Sequence, residues 1–190
     1  VVVIDENRLF GIRSAYAEAF ASLVRRDRNH PSVVLWSFCN EMGCEAWHEL
    51  GGPRFQKLAK SLDPSRETLA NMFTFDDLLS RTIDVQGFSH EPREHLDECH
   101  ARLPNKPIIA SECCSCNSMR NEVAGCETTE DNPKGNCTEL SFNARCTEKL
   151  TNASDGASYA LGTMVWTLFD YYGEPPSPGD SFVGTYGQFD

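Results

Sequence analysis

The hydrophobic positions of this chain form short continuous runs, separated by stretches in which apolar residues recur with a helical period. Continuous apolar runs are typical of parallel strands that are buried on both faces. Helical spacing is clear over Ser14–Asp27, which lies between the first two runs. The predicted strands are Val1–Ile4, Val33–Phe38, Thr68–Met72, Thr82–Phe88, Pro107–Ser111 and Thr163–Phe169.

Further helices are predicted around Phe55–Leu62, over Glu91–Leu103 and over Glu139–Lys149. This alternation of strands and helices predicts a parallel α/β fold. No glycine-rich phosphate loop follows any strand, which favours a closed barrel over an open nucleotide-binding sheet. A complete TIM barrel has eight strands. We therefore predict an incomplete TIM (β/α)8 barrel over residues 1–190, roughly strands three to eight, truncated at both ends.

The charge and the hydrophobic pattern of the chain exclude two classes of binding partner. With 28 acidic and 17 basic residues the formal net charge is -11, so the protein repels phosphate backbones and no nucleic-acid partner is predicted. No apolar run approaches the roughly 20 residues that span a bilayer, so no membrane partner is predicted either. Nine cysteines and two glycosylation sequons, at Asn136 and Asn152, favour a secreted or lysosome-like location.

Candidate catalytic residues lie where two of the apolar runs end. The run that starts at Val33 leads into Asn40 and Glu41, and the run that starts at Pro107 leads into Glu112. In barrels of this kind the active site lies at the carboxyl ends of the strands. A single glutamate there more often caps a helix or forms a salt bridge. Two such glutamates are typical of a general acid/base paired with a nucleophile.

Three segments resemble a known family. RRDRNHPSVVLWSFCNE at 25–41 closely resembles the acid/base signature of glycoside hydrolase family 2, which contains β-galactosidases, β-glucuronidases and β-mannosidases. KPIIASE at 106–112 resembles its nucleophile strand, and GTMVWTLFDYYGEP at 162–175 resembles its last barrel strand and the following loop. The resemblance implies a retaining mechanism, with Glu41 as general acid/base and Glu112 as nucleophile. It also implies that the first two strands, the closing helix and the family's accessory β-sandwich domains are absent from this chain.

The same resemblance implies three substrate-binding residues. Asn40 is expected to bind the sugar's 2-hydroxyl, and Trp166 is expected to stack on the sugar ring. His90 is expected to contact the nucleophile, at a place where the family often has a tyrosine. From the residues alone, Asn40 could instead brace its loop and Trp166 could be a core side chain.

Two departures from the family concern metals and cysteines. Lactose-cleaving bacterial members carry a Glu-x-His pair for magnesium, whereas this chain continues with Arg8-Leu9-Phe10-Gly11. No metal ligand and no cofactor are therefore predicted, and magnesium dependence lacks support. Six of the nine cysteines lie in 113–146, which we expect to form an elaborated loop. No histidine at ligand spacing accompanies them, so disulfides are favoured over a thiolate metal site.

The leading hypothesis is a hydrolase of terminal β-linked sugars, β-galactosides first, that acts on an oligosaccharide or glycoconjugate. A β-glucuronidase or β-mannosidase is the alternative within the family. A sugar-binding protein without turnover is the alternative outside enzymes, and a cysteine-cluster redox or metal protein ranks last. The sequence makes no prediction of oligomeric state.

Overall fold

The computed structural model describes residues 1–45, 47–114, 147–148, 151–152, 154–169, 171–172 and 183–184. Six parallel strands pair in chain order, and their sheet curls into a half-barrel. A second, two-stranded antiparallel sheet pairs β7 with β8. The strands are β1 (Val3–Glu6), β2 (Val33–Asn40), β3 (Glu67–Met72), β4 (Val85–Ser89), β5 (Ile108–Cys114), β6 (Ala160–Trp166), β7 (Tyr171–Tyr172) and β8 (Val183–Gly184).

Helices connect the first five strands. One side of α1 is buried, and it consists of Ala17, Phe20, Ala21 and Val24. Arg25 and Arg26 lie in the last turn of this helix, where positive charge complements the helix dipole. The carboxylate of Asp77 caps α4 by accepting a hydrogen bond from the Ser80 amide at 2.8 Å. The helices are α1 (Ser14–Asp27), α2 (Met42–Glu45), α3 (His48–Leu62), α4 (Leu78–Thr82) and α5 (Arg93–Arg102).

An aromatic cluster fills the space between the helices and the outer face of the sheet. Phe38 of β2 packs against Phe20 of α1 and Phe55 of α3, with ring centroids 5.4 and 5.7 Å apart. Phe10 joins them from the loop before α1, with its ring centroid 5.0 Å from that of Phe55. These rings anchor β2, and β2 leads directly to Asn40 and Glu41.

The inner face of the half-barrel carries two layers of side chains, because residues two apart on a strand point to the same face. The lower layer is apolar, and it consists of Ile4, Leu35, Leu69, Val85, Ile109 and Met164. Two residues further along each strand comes the upper layer, whose positions are Glu6, Ser37, Asn71, Gly87, Ser111 and Trp166. The upper layer is mostly polar, and it lies directly below the carboxyl ends of the strands.

The amino ends of the strands form an N-terminal rim that ion pairs and hydrogen bonds hold together. Asp63 accepts hydrogen bonds from the Trp36 indole at 3.1 Å and from Arg66 at 2.5 Å. Arg66 also donates to the Val33 carbonyl at 2.7 Å. Asp84 pairs with Lys60 at 2.9 Å. Burial alone would raise the pKa of Asp63, but hydrogen bonds from Ser65, Arg66 and Trp36 outweigh it and lower that pKa to about 2.

The fold class and all six predicted parallel strands are confirmed, with shifted boundaries. The prediction that strand four starts at Thr82 is wrong, because Thr82 ends α4 and its hydroxyl donates to the Leu78 carbonyl at 2.6 Å. Most of the expected loop at 113–146 and most of the helix predicted over Glu139–Lys149 lie outside the described residues. Among the described helices, none is long and apolar enough to cross a bilayer.

Candidate active site

The structure brings together Glu41, His90 and Glu112 at the carboxyl ends of three strands. Glu41 directly follows β2, His90 directly follows β4, and Glu112 lies near the end of β5. One oxygen of each glutamate and one ring nitrogen of His90 all lie within 4.8 Å of one another. Together with the upper layer below them, these residues form the C-terminal rim of the half-barrel.

The backbone at this rim is unusual. Glu41 has φ of 48° and His90 has φ of 54°, in the left-handed region that residues other than glycine seldom adopt. Hydrogen bonds to the adjacent strand hold both turns, since the Glu41 amide donates to the Asn71 carbonyl and the His90 amide donates to the Glu112 carbonyl, each at 2.7 Å. Such backbone conformations cluster at functional sites.

Each of the two catalytic candidates has at least one oxygen held by a neighbour. Ser89 donates its hydroxyl proton to Glu41 Oε1 at 2.6 Å. Glu112 Oε2 accepts from Asn71 Nδ2 at 3.1 Å, and Glu112 Oε1 lies 3.4 Å from His90 Nε2. The Glu112 side chain is 17% exposed and that of His90 is 31% exposed. The two carboxylates are therefore oriented, yet a small molecule can reach them.

A third carboxylate, that of Glu6, lies close enough to feel the charges of this pair. The pKa of Glu6 is raised, first because neighbouring atoms exclude water from its carboxyl group and then because Glu112 and Glu41 repel its negative charge. A hydrogen bond from Ser37 at 2.8 Å acts in the opposite direction. The rim is thus an electronegative site, in which the ionised form of Glu6 is less stable than it would be in water.

The remaining two predicted residues lie at strand ends beside this group. Asn40 is the last residue of β2, and its Oδ1 accepts a hydrogen bond from Asn71 Nδ2. Trp166 is the last residue of β6, is 39% exposed and pairs in register with Cys114. The peptide bond from Trp166 to Thr167 is cis.

The family follows from a match to a family model described as "Glycosyl hydrolases family 2, TIM barrel domain", which covers residues 4–132. This chain belongs to glycosyl hydrolase family 2. The predicted family resemblance and the barrel are thereby confirmed. The finer expectation of a β-galactosidase is not confirmed, because a curated relative and several similar solved structures are named as β-glucuronidases, while one similar structure is named as a putative β-galactosidase.

Among relatives, a β-glucuronidase of Streptococcus agalactiae is 30% identical over 188 residues, which cover 86% of this chain and 29% of that protein. The β-glucuronidase of Bacteroides uniformis superimposes with a TM-score of 0.71 at 16% identity, over 97% of this chain and 25% of that one. A putative β-galactosidase of Bacteroides fragilis gives a TM-score of 0.70 at 17% identity, over 96% and 29% of the two chains. This chain thus spans less than a third of each of these proteins.

Disulfides lie beside both glutamates of this family 2 site. Cys39 and Cys44 are bridged, so that a short ring encloses Asn40 and Glu41. Cys113 and Cys114, which directly follow Glu112, are bridged to each other. Cys99 is a free, buried thiol, and burial raises its pKa to about 11.

The carboxylates and imidazole at the rim are also ligand types that divalent cations accept. Within the described part of the chain, Glu41, His90 and Glu112 are the one group of three such side chains close enough to share an ion. An ion held there would occupy both glutamates that the family mechanism needs. The geometry therefore fits a metal only at the expense of glycosidase chemistry.

Four site residues were not predicted from the sequence: Glu6, Asn71, Ser89 and Ser111. Each is a polar residue on the inner face of a strand whose other inward residues are apolar. Glu6, Asn71 and Ser111 lie two positions after a residue of the lower layer, and Ser89 lies four positions after one. This alternation, in which every second residue of a strand points inward, is the sequence signal that could have identified them. Their partners lie 31 to 48 residues away, a separation that only the folded sheet brings into contact.

Proposed function

We propose that this protein is a retaining β-glycosidase in which Glu112 is the nucleophile and Glu41 is the general acid/base. The observation that carries the proposal is the closeness of the two carboxylates, with one oxygen of each within 4.8 Å. Retaining glycosidases hold their carboxyl groups about 5–5.5 Å apart, whereas inverting enzymes leave about 6.5–9.5 Å for a water molecule. The short separation therefore favours attack by Glu112 itself.

In the first step, an oxygen of Glu112 forms a bond to the anomeric carbon while the bond to the leaving oxygen breaks. The leaving oxygen takes the electron pair of that bond and a proton from Glu41. Because Ser89 holds Glu41 Oε1, the other oxygen of Glu41 is the one assigned to carry the proton. In the second step, Glu41 removes a proton from water, the water oxygen bonds to the anomeric carbon, and the bond to Glu112 breaks.

The other predicted residues bind the sugar in this proposal. Asn40 donates a hydrogen bond to the 2-hydroxyl, Trp166 offers its partly exposed ring to a sugar face, and His90 orients Glu112 from the side opposite Asn71. A bond to the 2-hydroxyl gains strength as positive charge develops at the anomeric carbon. These roles are the ones expected from the family resemblance.

β-Galactosides are the first substrate class to test, because the negative charge of the site does not repel a neutral sugar. The sequence at 170–175 also resembles galactosidases. β-Glucuronides are the second class, favoured by the 30% identity to a protein named β-glucuronidase. A uronate carboxylate would need a cation beside the three glutamates. Arg8, exposed two residues beyond Glu6, is the candidate for that cation.

The two disulfides beside the catalytic pair support an oxidising compartment, because cytosolic thiols are normally kept reduced. We therefore propose a secreted or lysosome-like location. Thiol alkylation of the native protein before and after reduction tests it, because protein from a reducing compartment would already react fully before reduction.

Mass spectrometry of the full-length protein after treatment with 2-deoxy-2-fluoro-β-glycosides tests the mechanism and the sugar together. These compounds trap the covalent intermediate of a retaining enzyme. We expect label on the peptide that contains Glu112, with the galactosyl compound faster than the glucuronyl one. Faster glucuronyl labelling that Arg8→Gln abolishes would assign the second substrate class. No label from galactosyl, glucosyl, mannosyl and glucuronyl compounds would contradict the proposal.

A further inference from the structure

Asn71 of β3 is a buried side chain at the centre of the C-terminal rim, and the mechanism above gives it no role. It is 2% exposed and lies in the upper layer of the half-barrel. Its Nδ2 donates to Glu112 Oε2 at 3.1 Å and also donates to Asn40 Oδ1. Its main-chain carbonyl accepts from the Glu41 amide at 2.7 Å. One residue therefore contacts all three members of the two catalytic motifs.

Both donors and the oxygen of this amide are engaged. A primary amide has two N–H donors and one carbonyl oxygen. Both donors of Asn71 are engaged by Glu112 and Asn40, and its Oδ1 accepts from the Ser111 hydroxyl at 2.7 Å. A carboxylate only accepts hydrogen bonds, so the N–H end of the amide faces Glu112, and the Ser111 hydroxyl donates to the oxygen end.

The network crosses β4 only because Gly87 has no side chain. Gly87 lies between Asn71 on β3 and Ile109 on β5 in the register of the sheet. A methyl group built at Gly87 would lie 2.5 Å from Ser111 Oγ and 2.6 Å from the Ala70 carbonyl oxygen. The side chains of Asn71 on β3 and Ser111 on β5 therefore meet above Gly87, although β4 separates their strands.

These contacts have a direct consequence for the two groups that Asn71 holds. Since Asn40 Oδ1 is already engaged, the N–H groups of Asn40 are left to donate toward a substrate oxygen. Since Glu112 accepts a hydrogen bond from Asn71 at Oε2 and lies against His90 at Oε1, the plane of its carboxylate is held in place. The other ionisable groups that face this point are Glu6, Glu41 and His90. Asn71 is a neutral donor among them, and it is the one that donates to Glu112.

We propose that Asn71 is a positioning residue that couples the two catalytic motifs, holding Glu112 ready to attack and turning the amide of Asn40 toward the sugar. The proposal rests on the proposed glycosidase function. Asn71 itself touches neither the anomeric carbon nor the leaving group, so its effect passes through Glu112 and Asn40.

The test compares Asn71→Asp, Asn71→Ala and Ser111→Ala in the full-length protein, with Asn105→Asp as the matched control. Asn105 is exposed in the turn before β5, at the opposite end of the sheet. For Asn71→Asp we expect kcat/KM to fall about 10²–10³-fold. We also expect the acid limb of its pH profile to move to higher pH, because the new carboxyl group repels the charge of Glu112. Ser111→Ala, which leaves Asn71 in place, should lower kcat/KM about fivefold.

A second comparison separates positioning from a general loss of structure. If Asn71 orients Asn40, removing the substrate's 2-hydroxyl should cost much less kcat/KM in Asn71→Ala than in the wild type. Equal losses in both proteins, or a folded Asn71→Asp variant with an unmoved acid limb and kcat/KM within about twofold of wild type, would overturn the proposal. A wild type that fluoroglycosides fail to label would overturn the glycosidase function and this role with it, whereas labelled wild type with unaffected variants overturns the role alone.

Discussion

The two ends of the half-barrel use carboxylates in opposite ways. At the N-terminal rim, Asp63 is paired with Arg66 and Asp84 with Lys60, and hydrogen bonds hold the pKa of each aspartate below its usual value. At the C-terminal rim, three glutamates gather, and within the described residues no lysine or arginine forms an ion pair with any of them. There the pKa of Glu6 is raised.

This contrast shows how one sheet separates stability from chemistry. A carboxylate that is buried with its partners favours folding, because its ionised form is more stable in the native state than in the unfolded chain. Carboxylates placed together without cations oppose folding, yet they supply an acid and a base at one point. The same division holds for TIM barrels generally, in which the lower face serves stability and the upper face serves catalysis.

The largest expected effect breaks the C-terminal rim. Glu112→Gln should lower kcat by about 10⁴-fold or more, since the nucleophile is lost. Its free energy of unfolding should stay equal or rise, because one repelling charge is removed. Steady-state kinetics and urea unfolding measure both quantities. Glu18→Gln, on the exposed side of α1, is the matched control with normal activity. A Glu112→Gln protein that retains a tenth of wild-type activity would refute the assignment.

The next effect breaks the N-terminal rim and should have the opposite profile. Arg66→Met leaves Asp63 buried without its cation, so the free energy of unfolding should fall by about 3–5 kcal/mol. Activity per folded molecule should not change. Arg26→Met, which removes the exposed pair with Asp27, is the control and should have a much smaller effect on unfolding. Loss of catalytic rate in folded Arg66→Met protein would mean that the two rims are not independent.

The pH dependence of stability gives a third, smaller effect. The pKa of Asp63 is lowered to about 2 in the folded protein from a usual 3.8. Because the folded-state pKa is depressed, this contribution, on the order of 2 kcal/mol, is present above pH 4 and is lost as pH falls from about 4 to 2. Urea unfolding at a series of pH values measures the loss. Asp63→Asn should lack this part of the dependence, and an unchanged acid slope would count against the pairing.

The smallest expected effect concerns the disulfide-closed ring around Glu41, the proposed acid/base residue. Cys39→Ser/Cys44→Ser should lower kcat about tenfold, because a displacement of Glu41 of less than 1 Å weakens proton transfer. Dithiothreitol should lower wild-type activity at least as much as the double substitution does. Any further response of the double variant to dithiothreitol reports other disulfides, of which the Cys113–Cys114 bridge is the one in the described residues. Full activity in both cases would show that the strands alone position Glu41.

Sequence patterns were sufficient for the strands, and they also pointed to the two glutamates that the structure brings close together. Continuous apolar runs identify parallel strands, and Glu41 and Glu112 directly follow such runs in segments that resemble a family signature. The boundaries were less accurate. Thr82 looks like a strand residue by its β-branched side chain, yet Asp77 caps a helix that includes it.

Contacts across the sheet could not be predicted in the same way. Asn71 is one polar residue in a buried strand, and nothing local shows that its partners are Asn40, Ser111 and Glu112. The partner of Trp36 is Asp63, which lies beyond a whole helix. Each contact depends on strand register, and register follows from the complete set of inward-facing side chains. The cysteine pairs depend on the same folded proximity.

The measurement that tests the central claim most directly is the configuration of the first sugar released from an aryl β-glycoside, followed by proton NMR within the first turnovers. With Glu41 and Glu112 as close as they are, two displacements at the anomeric carbon should give the β-anomer first. The α-anomer would then form only by slow mutarotation. An α-anomer that forms first would mean that water attacks directly, which would contradict the assignment of Glu112 as the nucleophile.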